Sequence, residues 1–120
     1  MKILIIKLGL SETLDPEIGH VISLGDVLRT TPILHALKEL YPSGRITWVA
    51  DERARALLDN NPMIDRLLIW DSFIGFQLLA EKFDIVINLE KIAGLCALSN
   101  MINAWKKYGF RFDETLGSYQ

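Results

Sequence analysis

Short apolar runs and amphipathic stretches take turns along this chain. Lys2 to Leu8 (KILIIKL), Arg45 to Ala50 (RITWVA), Asp65 to Trp70 (DRLLIW) and Phe83 to Leu89 (FDIVINL) are too short for ordinary helices and rich in β-branched residues, so each reads as a strand. Between them lie stretches with helical spacing. Ser23 to Tyr41 carries Leu24, Val27, Leu28, Leu34, Leu37 and Leu40 along one stripe and stops at Pro42-Ser43-Gly44. Glu52 to Asn60, Ser72 to Lys82 (with Ser72 as cap) and Ile92 to Trp105 read as further helices, and Lys107 to Arg111 as a short fifth strand. Gly9 to Ile22 is polar, is punctuated by Asp15-Pro16 and Gly19, and reads as a loop. Strands alternating with helices build right-handed βαβ units, hence a parallel sheet covered on both faces. The expected fold class is α/β, a Rossmann-like three-layer domain over residues 1–111, with residues 112–120 as an irregular tail. A sheet this small has an open edge, which is a route to a homodimer.

Composition narrows the function classes. A chain of 120 residues suits one domain, and with half of its residues hydrophobic it can form a core. The net charge of −2 leaves no basic footprint for nucleic acid. The lone Cys96 fits a reducing compartment and reads as buried and inert. The run after Met1-Lys2 lacks a cleavage site, and no stretch approaches the ~20 apolar residues of a membrane span. A soluble, cytoplasmic protein is expected.

In open parallel sheets, ligands sit beyond the carboxyl ends of the strands. That singles out Lys7 to Asp26, Ala50 to Arg55 and Asn88 to Gly94. The most informative stretch is Ser23-Leu24-Gly25-Asp26-Val27-Leu28-Arg29-Thr30-Thr31-Pro32, which follows the first strand and opens a helix. Gly25 leaves room for a ligand near the backbone. The helix start suits an anion, and Asp26 puts a carboxylate there. Asp26 also stands three residues after Ser23, the spacing of a capping box, and the pattern alone favours a cap. Pro32, inside the helical stretch, marks a kink or a strained site.

These residues resemble a known family. The runs KILIIKLG, LGDVLRTTPILHALKELYP, RITWVADERARALLDNNPMIDRLL and FDIVINLEK are similar to glycosyltransferase family 9, the ADP-heptose:lipopolysaccharide heptosyltransferases and their relatives, from Met1 to about Arg111. Gly25 to Pro32 (Gly-Asp-Val-Leu-x-Thr-x-Pro) is the most specific part, supported by Asn61 to Asp65. The resemblance implies the N-terminal, acceptor-side half of a two-domain GT-B enzyme, with the C-terminal donor domain absent from these residues. It implies that Asp26 is the general base of an inverting, metal-independent transfer of heptose or a related sugar. No cofactor is implied; the donor substrate is a nucleotide-sugar such as ADP-heptose, bound through the absent domain. The acceptor is a glycan or glycolipid like the lipopolysaccharide core, met peripherally at the inner face of the inner membrane. The chain alone is then inactive. One departure is the long Gly9–Ile22 segment, where connections of about 2–6 residues are usual; such an insertion can act as a lid or specificity element. A non-catalytic binding module and a dimerising α/β domain are the competing readings.

Other residues are weighed beside that resemblance. Lys7 ends the first strand, either as a solvated terminus or as a cation for the acceptor. Thr30 and Thr31 either bond helix carbonyls or contact sugar hydroxyls. Asp51 reads as a helix cap; Arg53 and Arg55 read as a solvated face or as acceptor contacts. The spacing of Gly9, Gly19 and Gly25 does not make G-x-G-x-x-G, which discounts NAD. Glu12, Asp15, Glu17 and His20 lack a metal-ligand spacing. His35 reads as a surface residue, and Trp48, Trp70 and Trp105 as packing residues. Asn88 and Glu90 end the fourth strand and are acceptor-contact candidates.

Overall fold

The computed structural model describes residues 1–12 and 20–120. In chain order the strands are β1 (Lys2–Ile6), β2 (Leu10–Glu12), β3 (His20–Ile22), β4 (Arg45–Ala50), β5 (Arg66–Ile69), β6 (Lys82–Asn88), β7 (Asn103–Gly109), β8 (Arg111–Asp113) and β9 (Gly117–Tyr119). The helices are α1 (Leu24–Thr30), α2 (Ile33–Leu40), α3 (Arg55–Leu58, entered through a 3-10 turn at Glu52–Ala54), α4 (Ser72–Ala80) and α5 (Ala93–Met101). Five strands form one parallel sheet in the order β5-β4-β1-β6-β7. The first strand is therefore central, paired with β4 on one side and β6 on the other.

Strand alternation creates the three layers. Ile3 and Ile5 point to one face with Ile46 and Trp48, where Val27 of α1, Leu34 and Leu37 of α2 and Leu58 of α3 cover them. Leu4 and Ile6 point to the other face with Val49 and Val86, under Leu78 of α4 and Leu95 of α5. All of these side chains are buried, and each contributes roughly 1.5–3 kcal/mol through lost contact with water.

Several sequence expectations are corrected here. The Ser23–Tyr41 helix is two helices. Pro32 has no N–H to give the Leu28 carbonyl, which instead accepts from the Thr31 N–H at 3.2 Å and the Thr31 hydroxyl at 2.8 Å. The Glu52–Asn60 helix is the 3-10 turn plus the single turn of α3. The cap of α4 is Asp71, whose carboxylate accepts from the Ile74 N–H at 2.8 Å, with Ser72 the first helical residue. The ends of the supposed Gly9–Ile22 loop pair as an antiparallel hairpin, Leu10 opposite Ile22; Asp15 and Glu17 lie outside the described residues. α5 stops at Met101, and Asn103–Gly109 pairs in parallel with β6 as the edge strand of the sheet. Trp105 consequently stands 85% exposed on an edge strand, not packed beside a core element. The supposed tail, residues 112–120, continues a hairpin of β8 and β9; the Asp113 carboxylate accepts from the N–H groups of Thr115 and Leu116, and Gly117 takes φ +76°.

Candidate functional site

A cleft of about 290 Å³ opens where β1 and β6 end, lined by Lys7, Leu10, Asp26, Leu89, Glu90, Lys91 and Ile92. It lies beyond the carboxyl edge of the sheet, as parallel topology dictates. Gly9 lies between two of the lining residues in the chain, Leu10 next to it and Lys7 two residues before. At φ +91° it turns the chain out of β1, and a Cβ there would meet Val27 Cγ2 at 2.5 Å. Its carbonyl accepts the Ser23 N–H at 2.6 Å, and its N–H donates to Glu90 Oε1 at 2.7 Å. One residue thereby ties the start of α1 to the end of β6.

That arrangement removes the capping-box reading of Asp26. In a capping box, Asp26 would accept the Ser23 N–H. Here that N–H is given to Gly9, and the Ser23 side chain makes no cap bond. The Asp26 carboxylate instead sits at the cleft, bonded to Arg29 Nη2 at 2.6 Å. Arg29 is 78% exposed, so the pair opens to solvent at little cost. Gly25 is exposed, and a Cβ on it would meet nothing nearer than Arg29 Nη2 at 3.9 Å. The backbone beside Asp26 is open to a ligand.

Lys7 does not turn to solvent. Its ammonium lies 3.8 Å from Glu90 Oε1 and 3.5 Å from the Leu89 carbonyl, with the side chain 12% exposed. Glu90 is buried. Burial pushes its carboxyl above the ordinary glutamate value, against the opposing pull of the Gly9 N–H, the Lys7 charge and the Leu8 and Leu10 N–H groups.

Other candidates fall elsewhere. Thr30 and Thr31 give their hydroxyl protons to the Val27 and Leu28 carbonyls, both at 2.8 Å, and neither lines the cleft. Asp51 caps the turn after β4 by accepting from the Arg53 N–H. The Arg53 side chain also bonds Asp51, which holds that carboxyl below its usual value despite partial burial. Arg55 pairs with Glu52. Both arginines are thus solvent-exposed and paired with neighbouring carboxylates, and neither lines the cleft. Asn88 is withdrawn as an acceptor contact. It is fully buried, with its amide donating to the Glu90 and Phe110 carbonyls at 3.2 and 3.0 Å and its oxygen accepting the Glu90 N–H at 3.0 Å. It shapes the loop after β6 from within. Cys96 is buried as expected, its Sγ 3.1 Å from the Glu90 carbonyl. Lys91 falls in the Asn88 to Gly94 segment but was not weighed by itself, and it lines the cleft. Its only signal was its place just past a strand end.

No protein-family model matches the chain, and no curated protein does. Solved structures match it. The E. coli heptosyltransferase WaaC with ADP is 22% identical at TM-score 0.67, covering 90% of this chain and 34% of that one. The same enzyme with ADP-2-deoxy-2-fluoro heptose is 20% identical at TM-score 0.65, covering 90% and 36%. A family 9 glycosyl transferase from Veillonella parvula DSM 2008 is 28% identical at TM-score 0.69, covering 93% and 36%. The chain spans about a third of the length of these structures. Over that third its five-stranded parallel α/β architecture matches the GT-B fold of these neighbours. In its Gly25–Pro32 motif and in its fold, the chain is similar to glycosyltransferase family 9.

Proposed function

We propose that this chain is the acceptor-side part of an inverting, metal-independent glycosyltransferase, and that Asp26 is its general base. The observation that carries the reading is the Asp26 carboxylate: released from capping, it sits at the cleft beside exposed Gly25. An acceptor hydroxyl within about 3 Å would pass its proton to Asp26 as its oxygen attacks the anomeric carbon. The bond from that carbon to the nucleotide's phosphate oxygen breaks, and the attack from the opposite side inverts the sugar. Lys7 and Lys91 supply positive charge at the cleft wall for an acidic or phosphorylated glycan.

The donor in this reading is a nucleotide-sugar, with ADP-heptose the leading choice because two of the structural neighbours carry ADP or an ADP-heptose analogue. It would bind to a domain beyond the residues present, so the chain alone should not transfer sugar. The acceptor would be a glycan or glycolipid of the lipopolysaccharide-core kind, met from the cytoplasm at the inner membrane. No helix among the described residues is long and apolar enough to cross a membrane.

The test is Asp26→Asn in the full-length protein that carries this sequence, assayed for transfer from ADP-heptose. A fall in kcat of about 10²–10⁴-fold with the acceptor KM little changed is expected. Transfer within a few-fold of wild type would remove Asp26 from the base role. A dimerising domain is the second reading, favoured by the outer edge of β7, which has no strand partner among the described residues.

A further inference from the structure

Glu90 is 1% exposed, yet it follows β6 at the mouth of an otherwise polar cleft. Its Oε1 holds the Gly9 N–H at 2.7 Å and lies 3.8 Å from the Lys7 ammonium. Its own backbone is locked, the N–H on Asn88 Oδ1 and the carbonyl on Asn88 Nδ2 and Cys96 Sγ. Among the described residues, the other charged groups nearby are Lys91, next in the chain, and Asp26 with Arg29 on α1; Asp51 and Arg53, after β4, pair with each other. Lys7 and Asp26 line the same cleft, and no ion pair joins them.

We propose that Glu90 is a positioning residue: its buried carboxylate clamps the Gly9 turn and draws the Lys7 ammonium to the cleft wall, which keeps that cation off the Asp26 carboxylate. Without it, Asp26 is the other carboxylate lining the cleft for Lys7, and a pair with this largely buried ammonium would hold the base more firmly than its open pair with the exposed Arg29 does. Glu90 acts through Lys7 and Gly9 and does not itself touch the acceptor. The functional half of this inference rests on the reading of Asp26 as the base; the clamp does not.

The clamp is tested on this chain by following the Gly9 amide in two-dimensional 1H–15N NMR from about pH 3 to about pH 8. Its resonance should titrate with a midpoint above the ordinary glutamate value, since burial raises the Glu90 carboxyl. Glu90→Gln keeps an acceptor oxygen for the Gly9 N–H, so the spectrum should persist while the titration disappears. Lys7→Met should push the midpoint higher and Lys7→Arg should restore it. A Gly9 resonance indifferent to pH, a titration that survives Glu90→Gln, or a midpoint unmoved by Lys7→Met overturns the clamp. If Glu90→Gln fails to fold, the two Lys7 variants decide alone.

The functional half is tested by kcat in the full-length protein. Glu90→Gln should lower it about tenfold, and adding Lys7→Met should bring it back to the level of Lys7→Met alone. A structural prop does not predict that rescue, so additive losses overturn the positioning role. If no transfer is found at all, the transferase reading fails while the NMR result stands.

Discussion

The carboxyl of Glu90 and those of Asp51 and Asp65 answer acid in opposite ways. Glu90 is shifted upward, first by burial, with the Gly9 N–H and Lys7 opposing. A group raised in the folded state stabilises it below the unfolded value, here 4.5, and that contribution is lost as pH rises through the folded value. Asp65 is also partly buried, but the Ile46 N–H at 2.7 Å and Lys38 at 3.2 Å outweigh that and lower it; Asp51 is lowered by Arg53. Those two stabilise the fold above 3.8 and lose that contribution as pH falls through their depressed values. Denaturant melts across pH should therefore show stability falling on both sides of an acidic optimum. Glu90→Gln should flatten the decline on the alkaline side of 4.5 and leave the acid limb in place. An unchanged alkaline decline would mean that another group carries it. At this scale the sequence was legible where the relevant distance along the chain is short. Asp26 stands next to Gly25 at a helix start, and its candidacy needs nothing else. Asn88 and Glu90, both acceptor-contact candidates by sequence, are buried for a reason that spans the chain. The Gly9 turn, some eighty positions earlier, reaches over to Glu90 and buries it, while Asn88 is consumed by Phe110 and by the loop it shapes.

Elements were legible where their residues are apolar on successive positions. β1, β4, β5 and β6 are buried or half-buried on both faces, so each reads as a continuous run. β7 (NAWKKYG) lies at the edge with its residues mostly exposed or half-exposed, and nothing in its pattern separates it from the helix before it. Only pairing with β6 fixes it. Helix ends were read less well than helix existence, because capping is a choice between neighbours. Both Asp71 and Ser72 suit an N-cap, and the extended backbone of Asp71 (φ −154°, ψ 176°) with its bond to Ile74 decides for the first. Asp71→Ala should cost about 1 kcal/mol. That corresponds to a melting temperature lower by roughly 4 °C for a domain of this size. Ser72→Ala should change it far less, and equal losses from the two would return the cap to Ser72.

For the whole molecule, the covered centre and the open flank of the sheet have different consequences. β7 shows Trp105 at 85% and Tyr108 at 52% exposure along a strand whose outer edge has no strand partner among the described residues. Such edges pair with other chains. Sedimentation of this chain over a wide concentration range should reveal a reversible dimer, and Trp105→Lys should return it to monomer. A monomer at every concentration would mean that Lys106 and Lys107 already protect the edge. The α/β class, the parallel sheet and its carboxyl-edge cleft followed from alternation alone. The flank did not, because edge residues carry no burial pattern.

The central place of β1 also sets an order of events during synthesis. β1 leaves the ribosome ahead of both of its neighbours, which lie far downstream at residues 45–50 and 82–88. Until the second of these emerges, the KILII segment is an apolar ribbon with at least one bare edge. Local pieces such as α1 and α2 can form early, but the sheet closes around its oldest strand only once most of these residues have been made. Closure of such long loops is slow, and the waiting strand is exposed to other chains meanwhile. Nascent chains arrested before β6 should therefore engage a trigger-type chaperone at this strand, and those arrested beyond it should let go.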